Sequence, residues 1–235
     1  MKVSADFLRG IVIDVTIRKT LLQGPVIYLI THRLAFPHPR SAEAQLDAID
    51  IAARSGCQLI QVRERDLQAR ELASFVSRVI EVARPLGSRV LVNDRVDVAI
   101  AAGADGVHLR SSSLLPCEAR RLADDFGCAG FLIGASVHSR EEADAAVTGA
   151  DFLVCGPVFE TQEKLKYGPP LGLDAFESIA RSSRIPVLGI GGIGITNYQK
   201  VLKRGAAGIA AISLFTNIEN IEANVKAILS MESKP

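Results

Sequence analysis

RSGCQLIQVRE, residues 54–64, contains the pattern that decides the fold: a glycine joint leads directly into a short apolar segment. Glycine adopts the left-handed conformation that ends many helices at little cost, so such a joint indicates a helix followed at once by a strand. Three more joints have the same form. They are AAGADGVHL (101–109), VTGADFLV (147–154) and KRGAAGIAAI (203–212). The chain is therefore expected to repeat a helix–strand unit.

Eight short apolar runs alternate with helical stretches along most of the chain. The runs cover residues 26–31, 58–64, 89–93, 106–109, 131–136, 151–156, 186–191 and 208–213. Eight alternating β and α units that close on themselves predict an α/β fold, a (β/α)8 TIM barrel in a single domain. We place this barrel at residues 25–235 and interpret residues 1–24 as an N-terminal extension of unknown role. An open doubly wound sheet is the alternative, although no early G-x-G-x-x-G follows the first run.

Composition narrows the class of protein. With 235 residues and a formal net charge of +1, the chain lacks the basic excess of a general nucleic-acid binder. No apolar run approaches the length of about 18 residues that a membrane span needs. The four cysteines have no C-x-x-C spacing, which favours a reduced, cytoplasmic protein. We expect an enzyme that acts on small molecules, with no nucleic-acid or membrane partner; a homo-oligomer stays open.

Polar side chains cluster where the predicted strands end, which is where TIM barrels place their active sites. After the second strand, Gln61, Arg63 and Arg65 lie two residues apart and therefore share one face. We expect them in the barrel mouth, where paired guanidinium groups bind phosphate or pyrophosphate. The alternative is that Arg63 forms a structural ion pair with Asp94 or Glu64. Asp94 is then either half of that network or a magnesium ligand.

The last two strand ends have the features of a phosphate site. GIGGI (189–193) is a glycine-rich turn after the seventh strand, in which Gly191 and Gly192 expose backbone N–H groups. AISLF (211–215) begins a short helix after the eighth strand, and the positive end of a helix suits an anion. A tight turn without a ligand is the alternative for the glycines.

His138 is the candidate for proton transfer, because histidine exchanges protons near neutral pH and the fifth strand ends just before it. Its alternative role is that of a polar residue at a helix start. Lys164, in the loop after the sixth strand, is expected either to cover a bound anion or to be a solvated lysine. His108 has a weaker case because it lies inside a strand, and Cys155 is expected to be a small core residue.

Five motifs occur in order at the predicted strand ends. They are Q-x-R-E-R (61–65), N-D (93–94), G-x-S-x-H (134–138), G-P-V-F-x-T (156–161) and G-I-G-G-I (189–193). Together they resemble the thiamine phosphate synthase/TenI family over about residues 28–227. The resemblance implies a TIM barrel of thiamin biosynthesis. Synthases of the family join hydroxymethylpyrimidine pyrophosphate to thiazole phosphate, releasing pyrophosphate with magnesium, and its tautomerases isomerise a thiazole carboxylate phosphate by proton transfer.

The resemblance also implies roles for individual residues. Those expected on the pyrimidine pyrophosphate and its metal are Gln61, Arg63, Arg65, Asn93, Asp94, Ser136 and Lys164, with Asp94 as the magnesium ligand. Those expected on the thiazole phosphate are Thr161, Gly192, Ile212 and Ser213. The implied cofactor is Mg²⁺ for a synthase and none for a tautomerase.

Two departures from the synthase pattern concern the metal site and a loop. The synthase motif H-[IL]-G-Q-x-D ends in the second magnesium ligand, but HLRSSS (108–113) has Arg110 for the Gly and Ser113 for that Asp. The loop motif T-x-T-K appears as TQEK (161–164), with Glu163 for the second Thr. Losing one of two carboxylates is expected to weaken magnesium–pyrophosphate binding, although Arg110 offers a positive charge instead.

The motifs divide between the two branches of the family. RER (63–65), SVHS (136–139) and VFET (158–161) are closer to the tautomerases, whereas the Asn93-Asp94 pair belongs to the synthase pattern. Because the metal position is altered, we favour a TenI-type thiazole tautomerase with proton transfer by His138. The alternatives are a thiamine phosphate synthase and a catalytically silent regulator that binds a thiazole phosphate.

Overall fold

The computed structural model describes residues 25–161 and 169–230, and these form a closed (β/α)8 barrel, as predicted. Eight parallel strands pair in chain order, and the eighth returns to the first. The strands are β1 (Val26–Ile30), β2 (Leu59–Val62), β3 (Arg89–Asn93), β4 (Gly106–Leu109), β5 (Leu132–Val137), β6 (Phe152–Cys155), β7 (Val187–Ile190) and β8 (Gly208–Ala211). The interpretation of residues 1–24 and the roles given to Lys164 lie outside the described residues.

One α-helix follows each strand. The helices are α1 (Ser41–Arg54), α2 (Ala69–Ala83), α3 (Val96–Ala101), α4 (Pro116–Asp125), α5 (Arg140–Ala146), α6 (Gly172–Ser182), α7 (Tyr198–Lys203) and α8 (Ile218–Leu229). Within residues 25–161 and 169–230, three short 3-10 turns lie at Arg33–Ala35, Arg84–Leu86 and Ser213–Phe215. The last of these lies directly after β8, where the sequence predicts a short helix.

Two apolar layers stabilise the barrel. Outward-facing strand residues such as Ile60 and Val90 pack against the helices in one continuous buried cluster. Inward-facing residues form a second cluster inside the strands, whose buried members are Val26, Tyr28, Ile30, Leu59, Leu91, Leu132, Phe152, Val154, Leu188 and Ala210. Because both faces of the strands are buried, polar side chains have room only where the strands end. We call the carboxyl ends of the eight strands the rim.

The glycine joints end helices as the sequence predicts. The glycines before β2, β4, β6 and β8 all have left-handed backbone angles, with φ of +102° at Gly56, +66° at Gly103, +102° at Gly149 and +89° at Gly205. The four predicted joints precede even-numbered strands. Gly87, before β3, has the same conformation with φ of +88°, so a left-handed glycine also precedes an odd-numbered strand. Each joint lets the chain enter the next strand without a long loop, which keeps the eight units in register.

The remaining sequence expectations concern cysteines and membrane segments. All four cysteines are free, and burial raises the pKa of the Cys155 thiol to about 12, so this residue is a neutral part of the core. Within residues 25–161 and 169–230, no helix combines the length and the apolar character needed to cross a membrane.

Candidate active site

The arginines after β2 lie at the rim. Leu59 belongs to the interior cluster, so strand alternation directs Gln61 and Arg63 inward as well. Gln61 is 2% exposed and donates from Nε2 to the Tyr28 hydroxyl at 3.1 Å. Arg63 is half-buried and Arg65 is exposed, and both line a pocket that also includes Ile212 at the end of β8. The two guanidinium groups therefore border one anion-sized space.

Glu64 and Asp94, the two carboxylates proposed from the sequence as partners for Arg63, form ion pairs with Arg33 and Arg110. Glu64 is 5% exposed, accepts from the Arg33 backbone N–H at 3.1 Å and lies 3.7 Å from the Arg33 Nε. Burial raises the pKa of this carboxyl, while the contacts with Thr31 and Arg33 oppose the rise. Asp94 pairs with Arg110. Glu64 thus anchors the turn after β1 to the end of β2.

Asp94 is held tightly between the ends of β3 and β4. Its backbone N–H donates to the His108 carbonyl at 2.8 Å, and its φ of +63° is the left-handed conformation that Asp tolerates better than most residues. Arg110 donates to Oδ2 from Nε at 2.8 Å, and its Nη2 lies 2.5 Å from the same oxygen. The Ser113 hydroxyl donates to Oδ1. Both carboxylate oxygens are therefore occupied by side chains of the same strand end.

His108 is the residue whose importance the sequence interpretation missed. It is 3% exposed, faces the barrel interior and packs between Tyr28 and Phe152, with ring centroids 5.6 and 6.2 Å away. Its Nε2 lies 2.9 Å from the Ser136 Oγ. Spacing places Gly106, His108 and Arg110 on one face of the strand, but it does not show that this face is the interior one. The register of β3 with β4 also places Asn93 beside His108.

The protonation state of His108 determines whether the Ser136 hydroxyl can donate its proton to a ligand. Burial and, to a smaller extent, the charge of Arg63 lower the pKa of His108 to about 3 against the opposing effect of Asp94, so the ring is neutral at physiological pH. Its Nδ1 has no hydrogen-bond partner among the described residues. A buried acceptor without a partner is tolerated better than a buried N–H donor, so we assign the proton to Nε2. Nε2 then donates to Ser136, whose own hydroxyl proton is free for an anion.

The buried neutral histidine predicts an acid-sensitive fold. Between about pH 6.5 and pH 3 the unfolded chain binds a proton at His108 that the native state does not. The free energy of unfolding therefore decreases as the pH is lowered through this range, by up to about 1.4 kcal/mol per pH unit. Replacing His108 with Asn should remove this slope. The measurement is the free energy of unfolding from urea titrations at several pH values across this range.

The control is Ser136→Ala, which removes the partner of Nε2 but keeps the buried imidazole and should therefore keep the wild-type slope. Parallel pH profiles for wild type and His108→Asn would contradict the assignment of a neutral buried ring.

The glycine turn after β7 needs glycine at two positions. Gly191 and Gly192 have φ of +97° and +63°. A Cβ on Gly191 would lie 2.5 Å from the Pro157 Cβ, and one on Gly192 would lie 2.6 Å from the Glu160 carbonyl oxygen. Because β7 and β8 pair with Ile190 opposite Ala210, Gly192 and Ile212 follow at neighbouring ends. The geometry therefore brings this turn next to the start of the 3-10 turn at Ser213.

The chain after β6 packs on the same turn. The Phe159 backbone N–H donates to the Gly191 carbonyl at 3.0 Å, which brings Thr161 close to the glycines. Thr161 Oγ1 is buried and has no hydrogen-bond partner among the described residues. A buried hydroxyl in that state is suited to a ligand oxygen. This position is next to residues 162–168, which the structure does not describe.

His138 lies at the rim and lines neither the pocket of Arg63 nor that of Arg110, although its partner Glu142 lines the second. Its side chain is 45% exposed, and its Nδ1 lies 3.0 Å from the Glu142 Oε2, one turn further along the chain in α5. The His138 backbone N–H donates to the same oxygen at 2.7 Å. Glu142 therefore fixes the orientation of the imidazole, which leaves Nε2 as the nitrogen available to another molecule.

Comparison with known proteins agrees with this arrangement. A family model described as thiamine monophosphate synthase matches residues 27–215. The chain belongs to the thiamine monophosphate synthase family. A thiamine-phosphate synthase from Methanoculleus marisnigri is 40% identical over 183 residues, 77% of this chain and 85% of the relative. One from Roseiflexus sp. is 36% identical over 206 residues, 87% of this chain and 84% of the relative.

A solved structure gives the same result in three dimensions. The thiamine phosphate pyrophosphorylase from Pyrococcus furiosus has a TM-score of 0.75 and 33% identity, and the match covers 88% of this chain and 95% of that one. The family resemblance inferred from five short motifs is therefore confirmed. These relatives are named as synthases, so they support the synthase alternative better than the tautomerase that the altered metal motif favoured.

Proposed function

We propose that this chain is a thiamine-phosphate synthase, which joins hydroxymethylpyrimidine pyrophosphate to thiazole phosphate and releases pyrophosphate. The observation that carries the proposal is that two groups suited to a phosphate, the Arg63–Arg65 pair and the glycine turn with Ser213, lie on one rim. Arg63 lies at the end of β2, and the glycine turn with Ser213 lies at the ends of β7 and β8. The synthase reaction has two phosphate-bearing substrates, one for each of these groups, whereas the tautomerase substrate carries a single phosphate and needs only one phosphate-binding group.

In this proposal the residues of the rim bind and orient the two substrates. Arg63 and Arg65 hold the pyrophosphate group, and the charge of Arg63 also stabilises the negative charge that develops as this group leaves. Ser136 donates its hydroxyl proton to the same substrate, because His108 occupies the other side of the hydroxyl. Backbone N–H groups of the glycine turn and the hydroxyl of Ser213 hold the thiazole phosphate.

The remaining rim residues complete the two positions. Asn93 contacts the pyrimidine, while Thr161 and Ile212 border the thiazole phosphate. Gln61 is buried and bonded to Tyr28, so it supports the floor of the pocket below Arg63. Binding both substrates side by side above a dry apolar interior lets the reacting atoms meet without water.

A thiazole tautomerase is the second candidate, and the His138–Glu142 pair is the observation that favours it. A carboxylate on Nδ1 sets the tautomer and the orientation of a histidine, which suits a proton-transfer group. In that reaction the substrate carries one phosphate and one carboxylate, so Arg63 would bind the carboxylate and not a pyrophosphate.

One side-by-side assay separates the candidates. Purified protein is given both synthase substrates with Mg²⁺, and thiamine phosphate is measured by chromatography, while tautomerisation of thiazole carboxylate phosphate is followed by NMR. We expect thiamine phosphate to form. His138→Ala should retain synthase activity within about twofold, because an exposed side chain outside the two pockets contributes little.

Each other outcome has a defined meaning. Tautomerisation without thiamine phosphate, lost in His138→Ala, would replace the synthase by the tautomerase. Saturable binding of thiazole phosphate without either reaction would identify a regulator. A synthase from a relative serves as the positive control for substrate quality.

A further inference from the structure

The strongest unexplained feature of the rim is the cluster of Asp94, Arg110 and Ser113. Two nitrogens of the Arg110 guanidinium contact one oxygen of Asp94, at 2.8 and 2.5 Å, and the Ser113 hydroxyl contacts the other oxygen. The Arg110 backbone N–H also donates to the Ser113 Oγ at 3.0 Å. The side chains thus form a closed ring of contacts around a single carboxylate.

The resemblance to synthases implies that Mg²⁺ binds at Asp94, and the residues present do not fit this ion. Position 113 is the correct place for a second ligand, because the Ser113 Oγ touches the Asp94 Oδ1. A serine hydroxyl is a weak replacement for a carboxylate, and Arg110 already neutralises Asp94. Within residues 25–161 and 169–230, no three His, Cys, Asp or Glu side chains form a group suited to a metal ion.

We propose that Arg110 is the built-in cation of this site and binds the pyrophosphate group of the substrate where a magnesium ion would otherwise do so. This inference rests on the proposed synthase function. A guanidinium has five N–H donors, and Asp94 uses those on Nε and Nη2, so Arg110 can contact Asp94 and an anion at the same time. The Arg110 side chain is 46% exposed, which leaves it accessible to a ligand.

The surroundings of Arg110 combine polar groups that can bind an anion with an apolar wall that includes Leu114 and Leu115. Arg110 and Ser136 line one pocket, and Ser136 has a hydroxyl proton to donate. The carboxylate in that lining, Glu142, accepts from the His138 backbone and approaches its ring.

Arg63, Asp94 and Arg110 follow the adjacent strands β2, β3 and β4, so Arg63 and the Arg110 cluster lie on the same part of the rim. With Arg65, three guanidinium groups lie at the rim. Of the other carboxylates there, Glu64 and Asp66 pair with Arg33, and Glu142 pairs with His138. Several guanidinium groups together suit a multiply charged anion.

Binding of inorganic pyrophosphate, measured by isothermal titration calorimetry, tests the inference without catalysis. Wild type should bind pyrophosphate in EDTA within about threefold of its affinity in Mg²⁺. Arg110→Gln should weaken binding in EDTA by about tenfold or more, and Arg110→Lys should recover part of the loss, because the charge is kept but the fork geometry is not. The matched control is Arg54→Gln, which breaks an exposed ion pair with Asp50 on α1.

A double variant restores the family pattern. Arg110→Gly with Ser113→Asp should bind pyrophosphate weakly in EDTA and gain about tenfold in Mg²⁺, since two carboxylates and the phosphate oxygens can then share the ion. Wild-type binding that requires Mg²⁺, or unchanged binding in Arg110→Gln, would overturn the inference. If the double variant does not fold, pyrophosphate binding by Arg110→Gln and Arg110→Lys still decides between the two outcomes.

The synthase assay distinguishes failure of this inference from failure of the proposed function. Thiamine phosphate formed in EDTA as well as in Mg²⁺ supports both statements. Product formed only in Mg²⁺ overturns the role of Arg110 and leaves the synthase in place. Product formed under neither condition rejects the synthase, whatever the calorimetry gives.

Discussion

Replacing Arg63 with alanine should lower kcat/KM for the pyrimidine pyrophosphate about 100-fold, since loss of charge-assisted hydrogen bonds worth about 3 kcal/mol corresponds to that factor. Arg63 is half-buried at the end of β2, and its backbone N–H donates to the Thr31 Oγ1 at 2.9 Å, which fixes the start of the side chain. Because Arg63 is partly shielded from water, its charge interacts more strongly with nearby groups, and it contributes to the lowered pKa of His108. The measurement is steady-state kinetics with each substrate varied in turn.

Arg65→Ala is the informative comparison for this variant. The two arginines lie in one motif and line one pocket, but Arg65 is exposed and its charge is screened by water. We therefore expect its removal to change kcat/KM by no more than about fivefold, in the range of exposed charge interactions. Equal losses in both variants would contradict the argument from burial. An unchanged KM for the thiazole phosphate in Arg63→Ala would show that the two anion positions are separate.

The fold followed from local patterns in the sequence. Glycine joints such as Gly56 and Gly149 mark where a helix ends and a buried strand begins, and their left-handed conformations need no long-range contact to be anticipated. The closed barrel was predicted from the eight apolar runs, some of which begin at these joints, and from the helical stretches that alternate with them. The orientation of Arg63 followed in the same way, because alternation from the buried Leu59 fixes its face.

The contacts of the site were less predictable, for reasons that differ among residues. His108 lies in GVHL, a strand with both faces buried, so no polar alternation shows which face is interior. The Asp94–Arg110 pair joins the ends of two strands across the sheet and depends on side-chain conformations that spacing does not specify. The orientation of His138 depends on Glu142, which belongs to the following helix.

The altered motif at positions 110 and 113 illustrates the limit of a motif as evidence. The loss of a second carboxylate favoured the tautomerase, because it was considered separately from the rest of the site. In the structure, Arg110 and Ser113 both bind Asp94, which is the basis for our proposal that Arg110 is the cation of the site. The similarity to named synthases over most of the chain agrees better with that interpretation.

Gly192→Ala should damage the other anion position and leave the first in place. An alanine at φ of +63° costs about 1–2 kcal/mol, and its Cβ would lie 2.6 Å from the Glu160 carbonyl oxygen, so the turn has to move. Moving the turn withdraws backbone N–H groups from the thiazole phosphate. We expect kcat/KM for that substrate to fall about 100-fold, with little change in the KM for the pyrimidine pyrophosphate.

Gly194→Ala is the matched control for this variant. Gly194 lies two residues further along the same turn, its φ is outside the left-handed region, and a Cβ there would meet nothing within 4 Å. Its kinetics and melting temperature should stay close to those of wild type. If Gly192→Ala lowered the melting temperature but kept the KM for thiazole phosphate, the turn would be a structural joint and the phosphate would have to bind elsewhere. If Arg63→Ala lowers kcat/KM mainly for the pyrimidine pyrophosphate and Gly192→Ala mainly for the thiazole phosphate, the two substrates bind at these two strand ends, as the proposed synthase reaction requires.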